Sequence, residues 1–600
     1  MAALFAKTKS VDDRCWRFWS VLAGRRIIAS ILLGLIALVS YLPGQLNLPT
    51  IDRTEGTVAL SSRYIAESGD ILRPRWRQNS QLTRPVGTFW AQALSLSVHD
   101  KERWNDIATY RLPSMLSTIL AVLLMFWLGS RLFGPVPALM ASTAIAVTPI
   151  VALHAQLAIA EALILPMTVV AQFALLAIYR DASAARWFGW LGAFWVALGL
   201  STWFNALAVP LLALVTVATL AVVDRRWDML RRLQPWFGLP LLAWLSVPWL
   251  AAVSAIGDGT LYSGMSLRAV LDALEGGQSM KFKTIHGVFI VMVGLGFLPI
   301  AHMLGPVVTR YWRYRHDATV RFLLVWLIAP IVALEVLSNK PPLYTVQAVF
   351  PAGALLVALA VGRIEPYAHS LRALPGMFVG TVVLLVVVAP VLIWGVLFVT
   401  DTPLTLVHVV GFLIFAGLFS YAGWVSAHGF GMAWFSSATL GTFIFGLWFN
   451  GLLMPGLKNF WTAPQIAEAV TRLKHCTAGS VHISGFREPS LALKMFGRAT
   501  IDAPHAAAAS LVGAPMGAAI IESRQFDAFQ NTLQKAAPGA AVRDLGCIRS
   551  FNLARGCSLL FNVYVPAKSR AVHVCKLGLP KDCTAKHELL RKRLKIKHCG

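Results

Sequence analysis

Charged residues are scarce in this chain, at 14% of 600 positions, and acidic residues are the scarcest of them. Only 28 Asp and Glu residues stand against 53 Lys and Arg residues. Apolar residues make up 57% of the sequence, and the mean hydropathy is +0.64. This composition excludes an ordinary soluble globular protein. Apolar runs long enough to cross a bilayer recur through the first three quarters of the chain, so we expect a polytopic α-helical membrane protein.

Cysteine is absent between Cys15 and Cys476, and no CxxC pair or paired histidine spacing occurs anywhere. A zinc site is therefore unsupported. No cofactor is predicted with certainty, and a divalent metal, although compatible with the chain, is not supported by the sequence. Six cysteines follow the last apolar run, and an even number there is typical of disulfides in an oxidising compartment. The alternative is that these cysteines are free and buried.

The twenty-residue criterion predicts about thirteen transmembrane helices. They lie near 27–42, 112–128, 135–153, 157–178, 187–203, 206–223, 236–256, 285–308, 321–338, 343–361, 376–399, 404–425 and 431–455. Only Asn205 and its neighbours separate the fifth span from the sixth. After residue 456, short apolar runs alternate with helical stretches, which indicates a small α/β domain. We therefore divide the chain into a membrane domain, 1–456, with a long loop at 43–111, and a C-terminal domain, 457–600.

The distribution of basic residues predicts the orientation of the chain. With the N-terminus in the cytoplasm, 19 Lys and Arg residues lie on the inner side and 4 in the short outer loops. The C-terminal domain would then be periplasmic in a bacterial inner membrane. The net charge of +25 is largely explained by this asymmetry, so we predict no nucleic-acid partner. The basic C-terminal end either contacts anionic lipid phosphates or is a solvated tail.

The loop after the first span concentrates the charges that the spans lack. Between Leu48 and Trp90 it holds acids at Asp52, Glu55, Glu67 and Asp70, together with six arginines. Carboxylates that accept a proton from a hydroxyl, beside arginines that bind phosphate with two parallel hydrogen bonds, suit group transfer from a lipid phosphate. The alternative is a solvated loop whose charges have no chemical role.

Three segments of this loop carry a family resemblance: LPTIDRTEGTVALSS from Leu48, ESGDILRPRWR from Glu67 and TRPVGTFW from Thr83. They resemble the first periplasmic loop of GT-C class, polyprenyl-phosphate-dependent glycosyltransferases. The bacterial branch with protein O-mannosyltransferase-like enzymes and the lipid A aminoarabinose transferase is the most similar. Relatives typically read LPPLDRDEARFAQAS, ETGDFVDIRFQ and KKPIGIYW at these places. The YRLPS segment at Tyr110 also matches, and there we expect Arg111 to be an interfacial residue that extends towards the membrane surface.

The resemblance implies an inverting transferase that moves a sugar from a polyprenyl-phosphate donor to a lipid acceptor (lipid A or lipopolysaccharide) or to a protein, at the membrane lipid surface. It implies the following roles: Asp52 or Glu55 as the base, Arg84 and Lys340 as phosphate ligands, Glu161 as a second acid near the acceptor, and Arg53, Arg75 and Tyr344 as further substrate-binding residues. Lys340 lies in SNKPPLY, which is similar to the family's TKLPHY. Residues 55–67 are expected to form a short helix with Glu55 in its first turn.

The chain departs from the family at three places. Thr54 replaces an acid, Asn205 stands in a turn where relatives commonly carry Lys-Gly-Pro, and the expected acid and histidine are missing after Gln278. Two other functions therefore stay open. One is a degenerate GT-C scaffold that binds lipid-linked sugar without transferring it. The other is a transporter of lipid-linked saccharide, which would favour internal repeats and charge within the spans.

Overall fold

The computed structural model describes residues 2–51, 54–76, 79–80, 85–180, 184–205, 207–225, 227–256, 296–337, 345–362, 405–477, 479–513, 516–552, 557–569, 575, 577–581 and 583. The predicted span at 376–399 and the first part of the span at 285–308 lie outside these residues. The basic C-terminal end lies outside them as well.

Most of the described chain up to residue 456 is helical. The helices are α1 Ala2–Gly24, α2 Arg26–Asn47, α3 Thr54–Ser68, α4 Gly87–Ser97, α5 Ile107–Phe133, α6 Pro135–Val147, α7 Pro149–Ala155, α8 Ala160–Tyr179, α9 Ala184–Ser201, α10 Ala208–Asp224, α11 Asp228–Arg232, α12 Pro235–Ile256, α13 Ala301–Trp312, α14 Ala318–Leu337, α15 Phe350–Val361, α16 Leu406–Ala427, α17 Gly431–Trp448 and α18 Met454–Gly456. A π-helical turn, Phe449–Leu453, joins the last two, and 3₁₀ turns occupy Lys101–Asn105 and Thr345–Val349. Two short strands, β1 Arg75–Trp76 and β2 Asn79–Ser80, pair within the first loop.

Seven of these helices are long and apolar enough to cross a membrane, or eight if one bent pair counts as a single span. The bent pair is α6 and α7, which meet at 65°. The prediction of one continuous span at 135–153 was therefore wrong in its geometry. Pro149 begins α7 directly after Thr148, and a proline has no N–H to continue the hydrogen bonding of the preceding helix. Helices α9 and α10 are separate, as predicted, and the turn at 202–207 lies between them.

The N-terminal segment, predicted only as a basic tail, forms the helix α1 and packs on the bundle. The Asp12 carboxylate accepts a hydrogen bond from the Ala433 N–H at 2.8 Å, in the first turn of α17. The Trp19 indole donates to the Ser436 hydroxyl at 3.0 Å. A carboxylate at a helix N-terminus satisfies an N–H that has no partner within its own helix. These contacts fix α1 against the membrane domain.

The C-terminal domain is a five-stranded sheet with helices, as predicted. Its elements are α19 Thr462–Lys474, β3 Val481–Ser484, α20 Pro489–Met495, β4 Thr500–Ile501, α21 Pro504–Gly513, β5 Ala518–Glu522, α22 Phe526–Ala536, β6 Val542–Asn552 and β7 Cys557–Pro566. The strand order is β4-β3-β5-β7-β6. The pairs β3–β4 and β3–β5 are parallel, and the pairs β5–β7 and β6–β7 are antiparallel.

Disulfides close the C-terminal domain. Cys476 is bonded to Cys575, and Cys547 is bonded to Cys583, across sequence separations of 99 and 36 residues. Cys557 is also disulfide-bonded. The prediction of disulfides among the six late cysteines is confirmed for these five. The crosslinks matter because they tie Cys575 and Cys583, which follow β7, to Cys476 just after α19 and to Cys547 in β6 of the same domain.

The C-terminal domain rests on the first loop of the membrane domain. The Arg63 guanidinium of α3 lies 3.6 Å from the centre of the Phe496 ring and donates to the Asn105 side chain at 2.6 Å. The Asn105 side chain in turn donates to the Phe496 carbonyl at 3.3 Å. At Gly56 the two backbones approach so closely that an added Cβ would meet the Pro489 Cβ and the Ser490 nitrogen at 2.9 Å. The loop with the predicted site is thus held from both sides.

Candidate active site

The centre of the first loop is a buried ion pair between Glu55 and Arg111. Glu55 lies in the first turn of α3, and Arg111 lies in the first turns of α5. The Arg111 Nε is 2.7 Å from Glu55 Oε1, and its Nη2 is 2.8 Å from Glu55 Oε2. The two side chains are 1% and 0% exposed. Such two-point geometry is the strongest form of a carboxylate–guanidinium contact.

Both partners have their hydrogen-bonding capacity filled. The remaining three N–H groups of Arg111 donate to the carbonyls of Gly44, Leu48 and Pro49, at 3.3, 2.5 and 3.1 Å. Glu55 also accepts from the Ile51 N–H at 2.9 Å and from the Ala158 N–H at 2.8 Å. A buried pair is stable only when its remaining donors and acceptors are satisfied in this way.

The prediction that Arg111 extends to the membrane surface was therefore wrong. An arginine at this depth without a partner would be costly, and Glu55 supplies that partner. The sequence contained a signal for the contact, because an arginine of YRLPS that is buried needs a nearby acid, and the stretch from Leu48 to Trp90 offers four. Sequence spacing did not indicate which acid, since 56 residues separate the partners.

Glu55 connects the loop to the segment that leads into α8. The Ala158 N–H bonds Glu55, and the Ala158 carbonyl accepts from the Gln92 side chain of α4 at 3.2 Å. Gln92 also accepts from the Ser62 hydroxyl of α3 at 2.8 Å. Glu161 follows three residues later in the first turn of α8 and is partly buried. The predicted second acid is thus brought to the neighbourhood of the loop.

A second contact joins Glu161 to the 3₁₀ turn Thr345–Val349, which follows the SNKPPLY segment in the sequence. The Gln347 side chain, in the 3₁₀ turn after residue 344, donates to the Glu161 carbonyl at 2.6 Å. Its oxygen lies 2.6 Å from His154 Nδ1. The 3₁₀ turn Thr345–Val349 therefore lies at the start of α8.

The turn that contains Asn205 lies beside the TRPVG motif. The Gly87 N–H donates to the Trp203 carbonyl at 2.8 Å, and a Cβ at Gly87 would meet that oxygen at 2.6 Å. Glycine is required there because no side chain fits. The Trp90 and Trp203 rings also contact each other edge to face, with centroids 5.3 Å apart. Asn205, which replaces the lysine of relatives, thus stands two residues from a direct contact with the predicted phosphate-binding motif.

The other predicted site residues are placed as follows. Arg75 lies in β1 and is exposed, in the part of the loop after α3. Asp52, Arg53, Arg84, Lys340 and Tyr344 lie outside the described residues. Among the residues that the structure describes, no group of three or more His, Cys, Asp or Glu is arranged to hold a metal ion.

Three comparisons with known proteins bear on this arrangement. Residues 83–251 match the family model for dolichyl-phosphate-mannose-protein mannosyltransferase. The undecaprenyl phosphate-α-4-amino-4-deoxy-L-arabinose arabinosyl transferase of Edwardsiella ictaluri is 26% identical over 417 residues, which cover 67% of each chain. The enzyme of that name from Pseudomonas aeruginosa is 24% identical over 52% of this chain and 56% of its own length.

Solved structures extend the likeness to most of the chain. The crystal structure of ArnT from Cupriavidus metallidurans bound to undecaprenyl phosphate superposes with a TM-score of 0.62. It covers 89% of this chain and 97% of ArnT, at 17% identity. The apo structure of the same protein gives a TM-score of 0.59. This chain has the GT-C fold. The fold class predicted from the apolar runs and the loop motifs is confirmed, and the C-terminal α/β domain is in line with ArnT.

Within the GT-C fold, the Glu55–Arg111 pair explains how the first loop keeps its shape. The pair ties the end of α2, through the carbonyls of Gly44 and Leu48, to the starts of α3 and α5. Three helix ends and the segment at Ala158 thus meet at one buried carboxylate. The resemblance to aminoarabinose transferases, first seen in the loop motifs, agrees with the comparisons, which cover 67% of the chain in sequence and 89% in structure.

Proposed function

We propose that this protein is a multi-pass enzyme of the bacterial inner membrane that transfers a sugar from undecaprenyl phosphate, or a related polyprenyl phosphate, to the lipid A part of lipopolysaccharide. The observation that carries the proposal is the buried Glu55–Arg111 pair. It fixes the loop containing Asp52 against the segment leading to Glu161, in a chain whose relatives are named as arabinosyl transferases. A pentose is accordingly the sugar we favour. A lipid acceptor is preferred to a protein acceptor for the same reason.

In the proposed reaction, Asp52 accepts the proton of the acceptor hydroxyl or phosphate as that oxygen attacks the anomeric carbon of the sugar. The carbon–oxygen bond to the polyprenyl phosphate breaks on the opposite face, so the sugar centre inverts. The leaving phosphate gains negative charge, which Arg84 and Lys340 stabilise. Arg53, Arg75, Glu161 and Tyr344 bind the substrates around this centre.

Glu55 is a weaker candidate for the base than Asp52. Each of its oxygens already accepts one hydrogen bond from Arg111 and one from a backbone N–H. Proton uptake there would break a satisfied buried pair. We therefore propose that Glu55 positions Asp52, which lies one residue after Ile51, the residue whose N–H bonds Glu55.

The decisive experiment is reconstitution of the full-length protein with undecaprenyl-phosphate-linked aminoarabinose and lipid A, followed by mass spectrometry of the lipid. We expect a pentosamine adduct on lipid A, which the Asp52→Asn variant does not form. An unmodified lipid A, with donor still bound by the protein, would instead favour the degenerate scaffold. We retain this second function because Thr54 replaces a family acid and Asn205 replaces a family lysine.

A further inference from the structure

A cavity of about 370 Å³ lies in the C-terminal domain, apart from the Glu55–Arg111 centre. Its walls come from four pieces of chain: the segment after α18, helix α19, strand β6, and the segment that the Cys547–Cys583 disulfide holds against β6. The size is within the range of small-molecule sites, which is roughly 300–1,000 Å³. Neither the family motifs nor the proposed transfer reaction uses this cavity.

The charges of the cavity are mainly positive. Lys458, Arg472 and Arg549 line it, whereas Glu468 is the one acidic residue among its lining side chains. Asn459 and Gln465 add uncharged polar groups. Two arginines and a lysine that converge on a small space are typical of phosphate recognition, because they combine charge with directed N–H donors.

Arg472 is already oriented for such a ligand. Its Nη2 lies 2.5 Å from Glu468 Oε1, and its Nη1 donates to the Leu577 carbonyl. These contacts position the guanidinium at the cavity wall. The ion pair with Glu468 is largely solvent-exposed, at 47% and 59%, so an incoming anion competes with a weak partner.

One wall of the cavity directly follows the last candidate membrane span, Gly431–Gly456, in the sequence. Lys458 follows α18, the end of the last described apolar helix, by two residues. The Trp461 indole donates back to the Met454 carbonyl at 2.8 Å, which ties the start of the domain to the end of that helix. Interfacial lysine and tryptophan of this kind lie at the level of lipid head groups.

The cavity wall is rigid. The Cys547 N–H donates to the Pro580 carbonyl at 2.9 Å, and the disulfide joins Cys547 to Cys583. Gly546 has φ +139°, and a Cβ there would meet the Leu579 Cβ at 2.6 Å. The strand and the crosslinked segment thus pack as closely as their backbones allow. A site built in this way loses little conformational freedom when a ligand binds.

We propose that this cavity binds the phosphorylated saccharide head group of an anionic lipid, and so holds the acceptor by a second phosphate remote from the reacting one. The proposal rests on the proposed function for the identity of the acceptor. The binding itself depends only on Lys458, Arg472 and Arg549.

The test is binding of the full-length protein in detergent, measured by native mass spectrometry. The probes are bisphosphorylated lipid A, the same lipid without phosphates, phosphatidylglycerol and soluble glucosamine 1-phosphate. We expect Lys458→Gln/Arg549→Gln to weaken binding of bisphosphorylated lipid A about tenfold or more, because two charge-assisted contacts are lost. The matched control is Lys535→Gln/Arg543→Gln, which removes the same charge from exposed residues of the same domain that do not line the cavity. Lys458→Arg retains the charge and should retain binding.

The arms separate the possible sources of the phosphate. If the Lys458→Gln/Arg549→Gln variant binds only lipid A more weakly, the site recognises a membrane lipid. If it also binds glucosamine 1-phosphate more weakly, the head group is sufficient for recognition. Both outcomes support the proposal. The proposal would be overturned if phosphatidylglycerol bound as tightly as bisphosphorylated lipid A, or if the control variant weakened lipid A binding as much as the double variant does. The single variant Lys458→Gln is tested as well, in case the Arg549 change prevents folding, because Lys458 is exposed and its replacement should not disturb the fold. Unchanged lipid A binding in that single variant also counts against the site. A protein that binds lipid A here but transfers no sugar would contradict the proposed function and leave the cavity intact.

Discussion

Arg111 and Glu55 are joined by two hydrogen bonds of 2.7 and 2.8 Å in the interior of the protein, across 56 residues of sequence. Every N–H of the guanidinium has an acceptor, and each carboxylate oxygen accepts two hydrogen bonds. The pair therefore acts as the structural centre of the first loop.

Removing one partner of this pair should be strongly destabilising. Arg111→Met leaves an uncompensated buried carboxylate and removes one donor from each of three carbonyls, so we expect a loss of about 3–5 kcal/mol in the free energy of unfolding. Thermal unfolding of the full-length protein in detergent measures it. Glu67→Gln, which disrupts a half-exposed pair with Arg63, is the control and should cost about 1 kcal/mol or less. Equal effects of the two variants would contradict the structural role.

The two candidate acids should behave differently in the transfer assay. We expect Asp52→Asn to abolish transfer, because no proton acceptor remains at the attacking oxygen. Glu55→Gln should only reduce it, since an amide keeps part of the hydrogen bonding to Arg111 and the backbone. The rate of sugar transfer to lipid A checks this. If Asp52→Asn keeps full activity, the assignment of the base is wrong.

The predicted phosphate ligands should affect the use of the donor. Arg84→Ala and Lys340→Ala should each cost roughly 1.5–3 kcal/mol in transition-state stabilisation, the scale of one hydrogen bond to a charged group. The ratio kcat/KM for the undecaprenyl-phosphate-linked sugar measures this loss. Arg131→Ala removes an arginine at the far end of α5 and should leave the ratio unchanged. Normal values for both Arg84→Ala and Lys340→Ala would reject their roles.

The close approach at Gly56 should be intolerant of a side chain. Gly56→Ala places a methyl group 2.9 Å from Pro489 and from a backbone nitrogen, so either α3 or α20 must move. We expect a destabilisation of about 1–3 kcal/mol and faster proteolysis between the two domains. Gly34→Ala lies in α2 with open space around it and is the matched control. An unchanged proteolysis pattern for Gly56→Ala would argue against a fixed contact of the C-terminal domain with α3.

The orientation of the chain is testable by a reporter. A phosphatase fused after Gly600 should be active, because the basic residues predict a periplasmic C-terminal domain. Disulfides at Cys476–Cys575 and Cys547–Cys583 agree with an oxidising compartment. The same fusion placed after residue 25 should be inactive. An inactive C-terminal fusion that is expressed at a normal level would reverse the predicted topology.

Much of the architecture followed from local patterns. Apolar length predicted the helices, since a bilayer demands that each span satisfy its own backbone hydrogen bonds. The residue pattern of 55–67 predicted the helix that the structure has at Thr54–Ser68. The even number of late cysteines predicted disulfides, and the alternation of short strands and helices predicted the C-terminal α/β domain. These properties depend on residues close in sequence or on composition.

Tertiary structure alone decided which partners meet. The stretch from Leu48 to Trp90 offered four acids to Arg111, and only packing of α2, α3 and α5 selected Glu55. The bend between α6 and α7, the packing of α1 on α17, and the approach of Gly56 to Pro489 also depend on distant chain segments. The basic cavity joins residues from 458 to 583 through a disulfide and a sheet register that composition does not encode. The physical reason is that a buried charge takes whichever partner the packed helices bring within hydrogen-bond distance, and that distance is unrelated to separation along the chain.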